Sequence, residues 1–178
     1  IPAMDGSCRP FIDAIMAVGT EPQARPRRTY TLREPVWVVG DGSYILATPS
    51  DEFSINYIMR YPHPMIGAQS AEFTFEEEGF VREIASARTF VIYEEVAQLV
   101  SQRLAQGGSL SNTIVIWQDH LSCALRYPDE LARHKVLDII GDLALLGGAL
   151  RADIVAVKSG HALNVELVKR VESLESRV

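Results

Sequence analysis

The sequence predicts an α+β fold, a two-layer sandwich in which a mainly antiparallel sheet packs on helices. Residues 29–61 alternate between apolar and polar side chains with a period of two, which is typical of half-buried strands. Two later segments, 129–146 and 161–173, instead carry apolar residues at helical spacing, and each can cover part of one sheet face. Strands gathered early in the chain, followed by a mixture of helices and short strands, favour this class.

The early strands are separated by recognisable turns. Asp41-Gly42 lies between two strand-like runs and is a strong hairpin signal, because both residues accept the backbone conformation of a tight turn. Tyr61-Pro62-His63-Pro64 ends the longest run, since proline lacks the N–H that a ladder needs. The expected strands of this part are 30–34, 36–39, 44–48, 53–61 and 70–75.

Capping signals predict where the helices begin and end. Thr74 and Glu77 resemble a capping box, which would start a helix that reaches Ala87. Pro128-Asp129-Glu130 places proline and acids in the first turn of a central helix, and Gly147-Gly148 ends it. The other expected elements are helices at 11–18, 93–104 and 161–173 and strands at 113–117 and 152–157.

Composition narrows the functional classes. The chain has 178 residues, of which 47% are hydrophobic and 22% charged, as in ordinary globular proteins. Its net charge is −6 and it lacks a dense basic tract, which argues against nucleic-acid binding. No apolar run reaches the roughly 18 residues of a membrane-spanning helix. No signal peptide is visible, and two distant cysteines, Cys8 and Cys123, suit a reducing compartment, so we expect a cytoplasmic protein.

The central helix carries a polar row on an otherwise apolar segment. His134, Asp138 and Asp142 follow one another at steps of four residues, so they share one side of the helix. A buried carboxylate must be paired, protonated or bound to a metal. Imidazole and carboxylate are both zinc ligands, so His134 and Asp138 could hold one ion. The alternative is a simple hydrogen bond between them on a half-exposed face.

Among the other histidines, His161 has the most suggestive position. It follows an expected strand and a turn and begins a helix, where the helix dipole opposes a positive imidazole. A nearby carboxylate such as Asp142 would favour the charged form, and this balance suits proton transfer. The alternative is a bond to a neighbouring backbone group. His120, in a polar loop, is expected to be solvated, and His63, between two prolines, is at least as suited to a structural role as to a functional one.

Several short motifs occur in a fixed order along the chain. They are Ser86-Ala87-Arg88-Thr89-Phe90, Gly107-Gly108-Ser109, Leu125-Arg126-Tyr127, Arg133-His134-Lys135-Val136-Leu137-Asp138 with Gly141-Asp142, and Lys158-Ser159-Gly160-His161-Ala162-Leu163-Asn164. Together they resemble the second domain of the UDP-3-O-acyl-N-acetylglucosamine deacetylases, zinc enzymes of lipid A synthesis in Gram-negative bacteria. The first residues, Ile1-Pro2-Ala3-Met4-Asp5-Gly6-Ser7, are similar to a motif near the end of that family's first domain.

This resemblance implies roles for the matching residues. His134 and Asp138 would be two of three zinc ligands, although such a site also accepts Fe²⁺. His161 would be the general acid, paired with Asp142, and Thr89 would hydrogen-bond the tetrahedral oxyanion. The residues expected to contact the substrate, UDP-3-O-acyl-N-acetylglucosamine, are Phe90, Lys135, Tyr61 and Gly160.

The resemblance also divides the chain. Residues 1–24 would be a remnant of the first domain and a linker, and residues 25–178 the second domain, with an inserted α/β subdomain at about 91–116. The inserted segment would form an apolar passage for the acyl chain, although core packing is the alternative role of its side chains. These side chains are Val91, Ile92, Val96, Leu99, Val100, Leu104 and Leu110.

One departure from the family concerns its third zinc ligand and general base, an adjacent Glu-His pair in the first domain. No Glu-His dipeptide occurs in these 178 residues. We therefore expect a fragment of a monomeric deacetylase that needs its missing N-terminal domain. A non-catalytic module that binds the acylated sugar nucleotide is the alternative function, and a structural remnant is a third.

Overall fold

The computed structural model describes residues 2–175, and within this range most strands join one sheet. The strands are β1 (Thr29–Thr31), β2 (Val36–Gly40), β3 (Ser43–Pro49), β4 (Phe53–Arg60), β5 (Ala68–Thr74), β6 (Phe90–Ile92), β7 (Ile114–Ile116) and β8 (Ala149–Val157). The helices are α1 (Arg9–Val18), α2 (Glu77–Glu83), α3 (Tyr93–Ser101), α4 (Glu130–Leu143) and α5 (His161–Glu175), and a 3₁₀ turn at Ala144–Leu146 follows α4.

The main sheet has the strand order β2-β3-β8-β4-β5, and β1 also pairs with β8. The ladders β2–β3, β3–β8 and β4–β5 are antiparallel, whereas β8 runs parallel to β4 and to β1. The expected mainly antiparallel sheet is therefore confirmed. Because β8 lies between β3 and β4, the early strands form a continuous sheet only when this late strand joins them.

Alternation along the strands gives the sheet one buried face. In β2, Val36 and Val38 are buried while Trp37 is exposed, and in β8 the side chains of Ile154 and Ala156 are buried. Helix α4 contacts β4 and β5, and α5 contacts β2 and β3. The segments 129–146 and 161–173 thus cover one sheet face, which confirms the two-layer α+β sandwich.

The predicted capping box at the start of α2 is wrong. The side chain of Glu76 accepts hydrogen bonds from the backbone N–H groups of Glu78 and Gly79, so this glutamate caps the helix instead of Thr74. A carboxylate reaches these N–H groups as well as a hydroxyl does, and its charge favours the positive end of the helix. Helix α2 also ends earlier than predicted, at Glu83, and the segment after it turns towards α4.

Strands β6 and β7 form a second, two-stranded parallel sheet, with α3 between them in the chain. These elements lie in and around the segment predicted as an inserted α/β subdomain, and its bounds remain a prediction. No helix within residues 2–175 has the length and hydrophobicity needed to traverse a lipid bilayer.

Candidate active site

Helix α4 presents its polar row at the rim of the core. Leu131 and Ile139 are fully buried and fix the helix against the sheet. His134 is only 8% exposed, and the side chains of Asp138 and Asp142 are 14% and 15% exposed. The three polar side chains are therefore largely withdrawn from solvent, so the contacts of each must account for its burial.

The ring of His134 has a defined orientation. Its Nδ1 lies 3.0 Å from the carbonyl oxygen of Ala87, which can only accept, so Nδ1 carries the proton. The Nε2 atom then presents a lone pair, 3.4 Å from Oδ1 of Asp138. Burial lowers the pKa of His134, although the Asp138 charge acts in the opposite direction. Two acceptors thus face each other where protonation is disfavoured, an arrangement that fits a metal cation.

An aromatic ring and an ammonium group complete this cluster. The Nζ of Lys135 lies 2.9 Å from Oδ2 of Asp138 and 5.3 Å from the centroid of the Phe90 ring. The ring of Phe90 packs edge-on against His134, with centroids 6.5 Å apart. Two residues predicted to bind substrate, Phe90 and Lys135, therefore lie beside the two predicted metal ligands.

The second pair predicted from the sequence also meets in the structure. The Nδ1 of His161 lies 2.9 Å and 3.1 Å from the two carboxylate oxygens of Asp142, and the Nδ2 of Asn164 donates to the same carboxylate at 2.9 Å. The His161 side chain is 67% exposed, whereas Asn164 is 1% exposed. Sequence reasoning gave Asn164 no role, although its place one turn after His161 on α5 was an available signal.

Thr89 reaches the site from the segment after α2. Its backbone N–H donates to the carbonyl of Gly6, and its carbonyl accepts from the N–H of Ile114, both at 2.9 Å. Gly6 has a φ of +82°, and a Cβ there would lie 1.9 Å from the carbonyl oxygen of Asn112. Glycine is thus required at this contact, which fastens the N-terminal segment to the wall of the site.

A cavity of about 930 Å³ opens beside these side chains, and Thr89, Phe90, His134 and His161 all line it. Its remaining wall is largely apolar, so it can hold a long hydrocarbon group. Of the residues predicted to form an acyl passage, Val91, Val96, Leu99, Val100 and Leu110 line the cavity, whereas Ile92 packs against the core and Leu104 is exposed.

Of the four predicted substrate residues, Phe90 lines this cavity and Lys135 lies beside Phe90, whereas Tyr61 and Gly160 lie elsewhere. Tyr61 lines a separate depression of about 680 Å³ together with His63. The Nζ of Lys158 lies 5.6 Å from the centroid of the Tyr61 ring, and Lys158 has a φ of +51°. The carbonyl of Gly160 accepts the N–H of Asn164 at the start of α5, and Gly160 lies outside both cavity walls. Sequence reasoning missed Lys158, a cation beside an aromatic ring.

The other histidines make local contacts. His63 is buried, and its Nδ1 accepts the backbone N–H of Met65. His120 stacks on Trp117, with ring centroids 4.7 Å apart, and its side chain remains 59% exposed. Within residues 2–175, no group of three or more His, Cys, Asp or Glu side chains could hold a metal ion. The described residues therefore offer His134 and Asp138 as an incomplete site.

Comparison with known proteins identifies relatives along nearly the whole chain. Residues 1–173 match the family described as UDP-3-O-acyl N-acetylglycosamine deacetylase. A protein of Anaeromyxobacter sp. (strain Fw109-5) named UDP-3-O-acyl-N-acetylglucosamine deacetylase is 42% identical over 175 residues, which are 96% of this chain and 57% of the relative. Proteins with the same name from Myxococcus xanthus (strain DK1622) and Leptospira biflexa serovar Patoc (strain Patoc 1 / Ames) are 41% and 38% identical over 97% of this chain.

The chain spans only 56% and 58% of the length of the last two relatives. The match nevertheless covers the segments that carry α4, α5 and the walls of the large cavity. On this evidence the chain belongs to the UDP-3-O-acyl N-acetylglycosamine deacetylase family.

Proposed function

We propose that this chain supplies the second half of a metal-dependent deacetylase that removes the N-acetyl group of UDP-3-O-acyl-N-acetylglucosamine. The observation that carries the proposal is the pair of acceptors, Nε2 of His134 and Oδ1 of Asp138, 3.4 Å apart beside an apolar cavity. We propose that they hold Zn²⁺, with Fe²⁺ as the alternative. A bound ion would supply Lewis-acid polarisation of the amide carbonyl.

Two further side chains of the cavity wall, those of His161 and Thr89, are proposed to move a proton and to stabilise negative charge. Asp142 holds the ring of His161 through Nδ1, which leaves Nε2 to deliver a proton to the leaving amine. Thr89 is proposed to donate a hydrogen bond to the oxyanion of the tetrahedral intermediate, and a donor of this kind typically contributes roughly 3–4 kcal/mol. Both roles agree with the presence of His161 and Thr89 in the lining of one cavity, where Asp142 supports His161 from outside that lining.

Substrate recognition is proposed to use the two aromatic–lysine pairs. Phe90 lies beside Lys135, and Tyr61 beside Lys158, so each pair combines a flat apolar ring with a positive charge. A nucleoside diphosphate has a base that can stack on the aromatic ring and phosphates that the lysine can neutralise. The acyl chain would occupy the apolar cavity, and Gly160 would lie near the sugar.

Completion of the site is proposed to come from outside the described residues. Catalytic zinc usually takes three protein ligands, and residues 2–175 offer two candidates, His134 and Asp138. We propose that an N-terminal domain carries the third ligand and the general base, that residues 1–24 belong to its end and linker, and that residues 25–178 form the second domain with an insert at about 91–116. The whole protein is proposed to act as a cytoplasmic monomer.

Zinc binding and acetate release test this proposal in two stages. The 178-residue chain should bind zinc weakly, and His134→Ala should abolish that binding, whereas His120→Ala, the matched control at an exposed histidine, should not. Joining the chain to the N-terminal segment of the Myxococcus xanthus relative should give tight binding and acetate release. In that protein, Asp138→Ala should lose zinc, and His161→Ala should keep zinc but lose roughly 10²–10⁴-fold in rate.

Three results would contradict parts of the proposal. Tight zinc binding by the isolated chain that survives His134→Ala would move the metal site elsewhere. Loss of zinc with His161→Ala would make that histidine a ligand instead of an acid. Binding of the acylated sugar nucleotide by the joined protein without acetate release would favour the non-catalytic binding module.

A further inference from the structure

Glu130, in the first turn of α4, is a fully buried carboxylate outside the large cavity. It accepts the backbone N–H of Arg88 at 3.0 Å, the side-chain Nε and Nη2 of Arg88 at 2.8 Å and 3.1 Å, and the backbone N–H of Arg126 at 2.6 Å. Burial would raise the pKa of Glu130, but the hydrogen bonds from Arg88 and Arg126 lower it below its ordinary value. The carboxylate is therefore charged and fixed in place.

The peptide that Glu130 holds is the same peptide that holds His134. The N–H of Arg88 and the carbonyl of Ala87 belong to one peptide unit, whose atoms lie close to a plane. Glu130 accepts from its N–H at 3.0 Å, and the Nδ1–H of His134 donates to its carbonyl at 3.0 Å. A continuous chain of hydrogen bonds thus runs from a buried negative charge, through one rigid peptide, to the imidazole.

Such a chain has consequences for the imidazole. A carboxylate that accepts from a peptide N–H polarises the peptide, so its carbonyl becomes a better acceptor. A stronger bond at Nδ1 fixes the tautomer of the ring and makes the opposite nitrogen, Nε2, more basic. Metal-ligating histidines commonly donate this hydrogen bond to a carboxylate or to a backbone carbonyl. Here His134 donates to the carbonyl of Ala87, and the carboxylate of Glu130 accepts from the N–H of the same peptide.

We propose that Glu130 is a positioning residue for the candidate metal site, acting on His134 through the Ala87–Arg88 peptide. It holds the ring in its Nδ1–H form and directs the Nε2 lone pair at the metal. The inference rests on the proposed function only in assigning a metal ion to Nε2. Thr89, the next residue along the chain, is steadied by the same anchor.

The test uses the metal-free 178-residue chain, labelled with ¹⁵N so that nuclear magnetic resonance reports the imidazole tautomer. Glu130→Gln keeps the shape of the side chain but removes its charge. We expect His134 to lose its uniform Nδ1–H form in this variant, the Arg88 amide to exchange faster with solvent, and zinc, added alone, to bind about tenfold more weakly.

The matched control is Asp129→Asn, one residue earlier in the same turn. The carboxylate of Asp129 pairs with Arg133 at 2.7 Å, whereas the hydrogen bonds to the Ala87–Arg88 peptide come from Glu130 and His134. This control should leave the tautomer and the zinc affinity unchanged. A folded Glu130→Gln chain that also leaves both unchanged would overturn the inference.

A measurement on the unaltered chain tests the connection between Glu130 and His134 even if Glu130→Gln does not fold. Scalar couplings across hydrogen bonds should connect Nδ1 of His134 with the carbonyl carbon of Ala87, and the amide of Arg88 with the carboxyl carbon of Glu130. Absence of either coupling would overturn the inference. If both couplings are present but the chain joined to the N-terminal segment binds zinc no better than its His134→Ala variant, the hydrogen-bonded relay is supported and the proposed function is refuted instead.

Discussion

Replacing Asp142 with asparagine tests how the candidate acid is held. The Nδ1 of His161 lies 2.9 Å from Oδ2 and 3.1 Å from Oδ1 of this carboxylate, and Asn164 donates to Oδ2 at 2.9 Å. Buried Asn164 requires an acceptor, so the new amide should keep its oxygen at the Oδ2 position. Its NH₂ group then takes the place of Oδ1 and faces Nδ1 of His161. The oxygen retained at the Oδ2 position still accepts from Nδ1, but without its charge, and the new NH₂ donor at the Oδ1 position opposes a proton on Nδ1, so the Nδ1–H form of the ring is weakened.

The structure sets the size of the two expected effects. A hydrogen bond to a charged acceptor contributes about 1.5–3 kcal/mol and one to a neutral acceptor about 0.5–1.5 kcal/mol, so the bond from Asn164 should weaken by about 1 kcal/mol. That corresponds to a fall in Tm of about 2–4 °C for a domain of this size. Misplacement of the proton on His161 should cost the joined enzyme roughly 10²–10⁴ in rate, the usual contribution of a general acid.

Thermal denaturation would measure the change in Tm, the ¹⁵N spectrum of the His161 ring would report its tautomer, and acetate release would give the rate. Asp153→Asn is the matched control, because its carboxylate also accepts from a side chain, the Ser54 hydroxyl at 2.7 Å, but lies on β8 at an exposed position. It should change neither the tautomer nor the rate. An Asp142→Asn enzyme with an unaltered His161 tautomer and normal turnover would refute the assignment of Asp142 as the group that orients the acid.

Two further predictions concern how the walls of the site are held. Gly6→Ala should lower the free energy of unfolding by about 2–3 kcal/mol in urea denaturation, because its Cβ would lie 1.9 Å from the Asn112 carbonyl oxygen. The control Gly42→Ala, at a φ of +60° in open space, should lower it by only about 1 kcal/mol. Equal losses would contradict the close approach of Gly6 to Asn112. The lowered pKa of Glu130 means that its contribution to stability is complete above the ordinary glutamate pKa of about 4.3 and is lost as pH falls through its folded-state value. Glu130→Gln should therefore show a shallower fall of Tm in acid, and parallel curves for the two proteins would contradict this reading.

Local patterns predicted most of the fold, and non-local pairing explains what they missed. The period-two runs and the Asp41-Gly42 turn predicted the hairpin of β2 and β3, because a hairpin depends on adjacent residues alone. The position of β8 between β3 and β4 depends on which late strand reaches the gap, and periodicity carries no information about that. The Glu76 cap was missed because Thr74, two residues earlier, offers the side chain of a capping box at nearly the same place in the sequence.

In the candidate site, a single helix also combines contacts that local spacing predicts with contacts that depend on distant residues. Helical spacing alone predicted that His134 and Asp138 would meet, because residues four apart share a face. The same row begins one turn earlier, at Glu130, which the sequence presents as an acid placed to favour the helix dipole. Its full burial could not be read from α4, because the compensating charge comes from Arg88, 42 residues away along the chain. A helix pattern therefore reveals which side chains share a face, but whether a carboxylate on that face is a solvated cap or a buried anchor depends on the distant partner that neutralises it.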